Sequence, residues 1–489
     1  MTELNQGSIQ NLVGQLKLPT YNRFKNTQGI VHIGVGGFHR SHEAYYIHEL
    51  LKRGQSTEWA ICGMGIRKND QAIYDALKSQ NGLYSLITRY PNGAIDSEII
   101  GSITDFIWAF QDSEKAIEKL ASPETKIVSL TITEGGYNFS ADTGEFDFNN
   151  PDVQHDLKNP SSPITVFGYL TEALRRRREA GTKSFTILSC DNIQHNGDVA
   201  RRMILAFAKQ LDKELGSWIE ENTAFPSSMV DRITPVTTDD DIDYLKQTYA
   251  YSDKWPVTCE PFIQWVVEDD FSNGRPKLED VGVQFVSDVK PYEKMKLRLL
   301  NAGHSVLGIP GALHGYSTIN ECMADPVFSK FMRAFMDEEA TPTLDPLSGI
   351  DLNNYKDTIA SRFANPNIKD SVSRICSESS AKLPKFLFET IAENSSKQGA
   401  FNKSVLICAA WYIYHKQGVD ENGKPIDIID DSAVLLKQQS ATPAEFIRTE
   451  SIFGDLHNHQ RFAEAFFEAV SELESGKRIR ELMESRLHN

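Results

Sequence analysis

The sequence predicts an α/β protein: a domain with a mainly parallel sheet and crossover helices, followed by a mainly α-helical domain. Three observations carry that expectation. Short apolar runs alternate with amphipathic segments through the first half. The stretch VHIGVGGFHRSHEAYY, from Val31, places a glycine-rich turn between a predicted strand and a predicted helix. Past about residue 285 the periodicity becomes helical, with few strand-like runs. A chain of 489 residues is too long for one core. Two domains are expected, 1–287 and 288–489, the second opening with a helix near Pro291, whose ring suits a first helical turn.

In chain order, the expected strands are IVHIG (30–34), WAICGMG (59–65), IVSLTIT (127–133), SFTILSC (184–190) and SMVDRIT (228–234). Helical spacing predicts Arg40–Leu51, Gln71–Ser79, Val166–Glu179 and Asp198–Leu215 between them. In the second domain it predicts Pro326–Met336, Tyr355–Phe363, Lys403–His415 and Phe462–Glu472. The basic run Arg175–Arg178 would wrap around a helix turn and reads as a solvated face. Asp239–Asp241 after Thr238 reads as the acid-rich start of a helix.

Composition narrows the partners. A net charge of −16 repels polyanions, which argues against nucleic acid or an anionic membrane and for a small-molecule ligand. No secretory signal is visible in the first 25 residues. The longest apolar run, Val405–Tyr414, is ten residues, half of the roughly 20 that a membrane span needs. A cytoplasmic protein is expected. The six cysteines are scattered, with no C-x-x-C pair, which fits reduced thiols better than disulfides or a zinc site. His39, His42 and His48 do not form the H-E-x-x-H pattern, so no metal is expected.

In the glycine-rich turn, Gly34 and Gly36 suit a tight bend and close backbone approach to a pyrophosphate, although His39 stands where a third glycine would be. Gly37 adds flexibility and Arg40 charge. The cofactor-binding stretch is therefore read as Ile33, Gly34, Val35, Gly36, Gly37, Phe38, His39 and Arg40. Asp70, after the second strand, is placed to take the ribose hydroxyls of NAD, with helix capping as a compatible role. The adjacent Arg67 and Lys68 would suit a phosphate, so NAD over NADP is a preference. Three further strand ends are polar: TITEGGY (131–137), SCDNIQHNG (189–197) and MVDRITP (229–235). Such ends flank the ligand crevice of open parallel sheets, and Thr133 and Glu134 are expected against the cofactor.

The stretch EKMKLRLLNAGH (293–304) poses a question of its own. At about 100° per residue, with Lys296 at zero, Leu300 falls at about 40°, His304 at about 80°, Leu297 at about 100° and Asn301 at about 140°. Lysine, asparagine and histidine thus share an arc with leucines. Buried polar atoms require partners. Amides such as Asn192 and Asn301 can donate to an alkoxide. Lys296 can accept a proton if its pKa falls, and a drop of roughly two units would bring it into range. The plain alternative has Lys296 reaching solvent, Asn301 capping a turn with Gly303, and His304 as a satisfied core histidine.

Taken together, VHIGVGGFHR, SLTITEGGY, SCDN with HNG, MVDRITP and the Lys-x4-Asn-x2-His pattern resemble the polyol-specific long-chain dehydrogenases, the mannitol dehydrogenase family, over nearly the whole chain. The resemblance implies a Rossmann-type first domain, a helical second domain and metal-free catalysis in a cleft. It implies Lys296 as general acid/base, Asn192 and Asn301 as an oxyanion hole, and His304 as a substrate-orienting residue. It also implies Asp231, Arg374 and, more weakly, Lys382 as substrate-lining residues, with Glu293 as a proton relay. Family members preferring NAD often carry two acids after the second strand, whereas Asn69 precedes Asp70 here, which leaves room for some NADP use. The expected reaction is hydride transfer between C2 of D-mannitol and NAD, giving D-fructose, by a monomeric enzyme. Alternatives within the family are an arabinitol dehydrogenase or a hexuronate (fructuronate-type) reductase, for which Arg374 with Lys382 or Lys385 would face the carboxylate. Outside it stand a non-catalytic NAD sensor and a zinc alcohol dehydrogenase.

Overall fold

The structure, a computed structural model, describes residues 2–140 and 143–488. The chain divides into two compact units, Met1–Tyr90 with Ala94–Val289, and Lys290–Asn489 with Pro91–Gly93.

Five parallel strands form the centre of the first unit, in the order Ile103–Trp108, Ile61–Gly65, Ile30–Ile33, Ile127–Leu130, Thr186–Ser189. Their apolar side chains alternate between two cores. Val31, Ile33, Cys62, Met64 and Val128 face the helices Ser113–Ala121, Val166–Glu179 and Asn196–Leu211. Ile30, Ile61, Ile103, Ile127 and Leu188 face Ala44, Ile47 and Leu50 of the helix Glu43–Lys52. Burial on both faces is what a parallel sheet with crossover helices requires.

Three departures from the sequence reading concern the sheet and its helices. The segment SMVDRIT does contain a strand, Ser228–Asp231, but it pairs antiparallel with Gln264–Glu268 in a separate three-stranded sheet. The fifth parallel strand is instead Ile103–Trp108, an edge strand whose polar Thr104 and Asp105 are only half-buried and so break up its apolar run. The helix expected at Arg40–Leu51 is interrupted at His42 (φ −114°, ψ −91°), giving Gly37–Ser41 and Glu43–Lys52. Asp198–Leu215 is two helices, because Asp212 turns extended and its carboxylate caps the N–H groups of Glu214 and Leu215.

The arginine run is only partly a solvated face. Arg175 and Arg176 pair with Glu172, but Arg177 is buried and donates to the carbonyls of Leu120, Ser122 and Lys183. All six cysteines are buried and free.

The second unit is mainly helical, with no strand among its described residues. Its central helix, Ala302–His314, packs against Val372–Cys376 and against the helix Asn402–Gln417, buried from Lys403 to His415, which in turn packs on Gln460–Glu474. No helix among the described residues is long and apolar enough to cross a membrane.

Burial also sets a pH limit on this fold. His39, His48, His304 and His415 are all held below the ordinary histidine pKa of 6.5, primarily by desolvation, His415 at about 4. Below pH 6.5 the unfolded chain takes up protons that these four folded side chains refuse, so stability is lost as pH falls. Urea midpoints are expected to drop between pH 7 and about pH 5, with the largest recovery in variants where a buried histidine is replaced by glutamine.

Candidate active site

The glycine-rich turn is shaped by one close approach. Gly34 has φ +96°, and a Cβ there would lie 2.1 Å from the Thr131 carbonyl oxygen, so no other residue fits beside the neighbouring strand. Thr131 Oγ1 donates back to the Gly34 carbonyl at 2.7 Å. Gly36 differs: a Cβ would meet only the Gly34 carbonyl oxygen at 3.8 Å, so the space above its backbone is open. Gly36 precedes the helix Gly37–Ser41, and Gly37 and Phe38 are partly exposed. This cradle fits a pyrophosphate approached by backbone N–H groups.

The flanking side chains serve the protein itself. Ile33 and Val35 are buried in the two cores. Arg40, expected to lend charge to the turn, is buried with its guanidinium donating to the carbonyls of Gly36 (3.2 Å) and Trp255 and lying over the Tyr84 ring. His39 is buried and stacked on His32 with ring centroids 3.4 Å apart.

Asp70 accepts the Arg67 backbone N–H at 2.8 Å, a capping role, and folds over Gly65, where a Cβ would lie 2.7 Å from that of Asp70. One of its oxygens takes that bond and the other keeps its accepting capacity, which suits a ribose hydroxyl.

The three polar strand ends belong to one constellation in this unit, and Asp191 gathers two of them. Its buried carboxylate accepts from Ile132 N (3.1 Å), Thr133 N (2.8 Å) and Tyr137 Oη (2.8 Å). These bonds hold Thr133 at φ +64°, ψ 167°, a costly backbone for a β-branched residue. Thr133 and Glu134 are thereby presented at the surface, as is Asn192 beyond the strand Thr186–Ser189. Asn196 joins the third end: its amide donates to the carbonyls of Asp191 (3.0 Å) and Ser228 (2.8 Å) and accepts the Ser228 N–H (2.9 Å). Asp231 closes that strand and is buried, and Thr234 beyond it bonds Ser41 of the glycine-rich turn at 2.7 Å. Asp191 and Asn196 were not singled out from the sequence, although both lie inside SCDNIQHNG.

In the second unit, EKMKLRLLNAGH is not a uniform α-helix. Lys290–Lys296 passes into a π segment, Leu297–Asn301, and then into Ala302–His314, with the Ala302 N–H bonded to the Leu297 carbonyl. An i→i+5 turn sets Asn301 roughly one full turn beyond Lys296 instead of about 140° around. Lys296, Asn301 and His304 then share an arc of roughly 60°. Leu297, which the α-helical reading turned inward, is partly exposed.

Lys296 and Glu293 are buried. The Asn301 side-chain carbonyl oxygen and His304 Nε2 are buried without a hydrogen-bond partner. His304 stacks on Phe363 at 3.9 Å, and burial, reinforced by Arg374, Arg362, Lys382 and Lys296, keeps its imidazole neutral near pH 7. Gly308, one turn on, has Ile375 so close that a Cβ would meet its Cγ2 at 2.8 Å; this brings the helix carrying Arg374 against the helix carrying His304. Arg374 forms a bidentate pair with Asp370, whose Oδ2 lies 3.8 Å from His304 Nε2. Lys382 donates to the Ile375 carbonyl at 3.3 Å, and burial lowers its pKa, with help from Arg374.

Two groups among the described residues bring metal-ligating atoms together: His32, His39 and Glu43, and His48, Glu49 and Glu98. In the first, the rings of His32 and His39 are stacked at 9°, so their in-plane lone pairs run parallel and do not converge, and both His32 nitrogens already face Ser129 and Thr131 hydroxyls. In the second, Lys52 answers both carboxylates at 2.7 and 2.8 Å.

The chain matches the mannitol dehydrogenase Rossmann domain over residues 28–280 and the mannitol dehydrogenase C-terminal domain over residues 288–474. It is 45% identical over 469 residues to a mannitol 2-dehydrogenase of Aspergillus fumigatus, covering 94% of this chain and 93% of that one. Among solved structures it is similar to Pseudomonas fluorescens mannitol 2-dehydrogenase in a ternary complex with NAD and D-mannitol, at 44% identity, TM-score 0.89 and full coverage of both chains. A substrate-free D-sorbitol dehydrogenase is similar at 36% identity, TM-score 0.89, with 98% and 99% of the two chains covered.

The Asp191 constellation generates a direct test. In Asp191→Asn one acceptor oxygen becomes an NH₂ group facing a donor, which is expected to cost about 2 kcal/mol in urea unfolding. The loop bearing Thr133 and Glu134 loosens with it, so NADH affinity measured by fluorescence falls as well. An unchanged midpoint and an unchanged Kd would remove Asp191 from this role.

Proposed function

This chain belongs to the mannitol dehydrogenase family, and from that premise we propose that it is an NAD-dependent mannitol 2-dehydrogenase interconverting D-mannitol and D-fructose at C2. The observation that carries the reading is the π turn that sets Lys296, Asn301 and His304 on one face, with two buried polar atoms left unpartnered there. Hydroxyl-rich substrates need many donors and acceptors, and they complete such atoms. Support also comes from the similar structure solved with NAD and D-mannitol.

When bound along Ile33–Arg40, with Asp70, Thr133 and Glu134 alongside, NAD supplies the hydride acceptor for C2. The remaining chemistry belongs to the chain. Lys296 takes the proton of the C2 hydroxyl in oxidation and returns it in reduction. The amides of Asn192 and Asn301 donate to the oxygen as negative charge builds on it. Neutral His304 holds the substrate through Nε2, and Asp231, Arg374 and Lys382 hold the other hydroxyls. Glu293, on the preceding turn, passes the Lys296 proton toward water. We read the enzyme as cytosolic, monomeric and independent of metal.

A polyol panel with NAD and NADP and a ketose panel with NADH and NADPH test the assignment; turnover of mannitol with NAD and of fructose with NADH is expected, and EDTA leaves it unchanged. D-Mannitol and D-sorbitol are epimers at C2, so either polyol gives D-fructose on oxidation there. The similarity to a D-sorbitol dehydrogenase therefore makes the product of fructose reduction decisive, with mannitol expected. Replacing Lys296 by Ala should lower kcat by about 10²-fold or more while NADH affinity is largely kept. Fructuronate turnover exceeding that of fructose would shift the assignment to a uronate reductase, and a protein inert to every polyol would shift it to an NAD sensor.

A further inference from the structure

We infer that Asp370 sets the charge class of the substrate: by neutralising Arg374 it reserves this face for neutral polyols and ketoses and turns sugar acids away. The inference rests on the polyol reading above and adds to it a residue that decides specificity.

Recognition of a carboxylate needs a guanidinium with a free edge and an unanswered charge. In Arg374 the Nε–Nη2 edge is taken and the charge is answered by Asp370, leaving only Nη1. Its Nη2 lies 2.5 and 2.6 Å from the two Asp370 oxygens and its Nε 2.8 Å from Oδ1. The carboxylate is the buried partner, with 9% of its side chain exposed against 60% for the arginine. The same carboxylate stands 3.8 Å from His304 Nε2, beside the atom that the polyol reading gives to a substrate hydroxyl. A second anion brought there meets the charge of Asp370 at short range. A neutral sugar meets donors that remain, Nη1 of Arg374 and the imidazole.

Lys382 is a second cation near Arg374, and it does not restore an anion site by itself. It is partly buried and bound to the Ile375 carbonyl, and desolvation with Arg374 repulsion disfavours its charge. Arg362 and Lys296 also act on His304, Lys296 from the position of the proposed acid/base. The decisive contrast is therefore between Arg374 with Asp370 and Arg374 without it.

Isothermal titration of the wild-type protein with D-mannitol and with D-gluconate, in the presence of NADH, which cannot accept a hydride from either, reads the discrimination without turnover. D-Mannitol is expected to bind and D-gluconate to bind at least about tenfold more weakly, a difference of about 1.4 kcal/mol. In Asp370→Asn, which keeps the shape and removes the charge, that gap should close. The kcat/KM ratio of D-fructuronate to D-fructose should rise about tenfold or more, mainly through KM. Asp370→Glu, which restores the charge, should return the ratio toward wild type. Equal wild-type affinity for the two ligands would overturn the inference, and so would a variant that lowers both substrates equally with the ratio unchanged. Loss of all polyol turnover in wild type, with gluconate still excluded, would count against the function assigned above and not against Asp370.

Discussion

A single buried carboxylate organises the strand ends of the first unit. Asp191 takes two backbone N–H groups and a tyrosine hydroxyl. Burial pushes its pKa up while those donors pull it back. Only an acceptor with several lone pairs and no donor of its own can serve three such groups at once. The bonds hold Thr133 in a backbone conformation that it would not adopt alone, and they convert a strand end into a fixed surface. Asn196 extends the same lattice to Ser228, so the ends of three strands behave as one rigid piece. Loops are usually held by few interior contacts; here buried hydrogen bonds anchor the strand ends.

The second unit reaches precision differently. Its π segment packs against two others, Met336–Ala340 and Pro384–Phe388, so the irregular turns support one another. Small residues complete the arrangement, with Gly308 allowing the Arg374 helix to lie against the His304 helix. A π turn forfeits regular packing, and such turns recur at functional sites. What it gains is the alignment of three polar side chains that an α-helix would scatter.

The fold class was legible because its signals are periodic. Gln71–Ser79 and Val166–Glu179 run as the apolar spacing indicates, and the central parallel strands are continuous apolar runs. Signals that depend on partners were harder to read. Ile103–Trp108 is an edge strand diluted by polar residues, and the hairpin Tyr84–Arg89 with Ile95–Ile100 alternates too weakly to stand out, although Pro91-Asn92-Gly93 is a turn signature. At the candidate site, motif residues were visible as types in a pattern. Their supports were not, because Asp191 and Asp370 act through tertiary contacts. Asp370 left one local trace, its spacing four residues before Arg374.

The extra residue within the Lys296 helix has a consequence for how such a sequence can vary. Exchanging one side chain for another between Leu297 and Leu300 alters packing by degrees. Removing one residue there would let the backbone relax into an ordinary α-helix in which the asparagine stands four steps of about 100° beyond Lys296, only about 40° around, so the shared face is kept. Adding one residue instead would turn everything downstream by about 100° relative to Lys296, and lysine and asparagine would point apart. Lineages carrying this arrangement should therefore tolerate substitution in that turn, or loss of its one extra residue, far more readily than a further insertion.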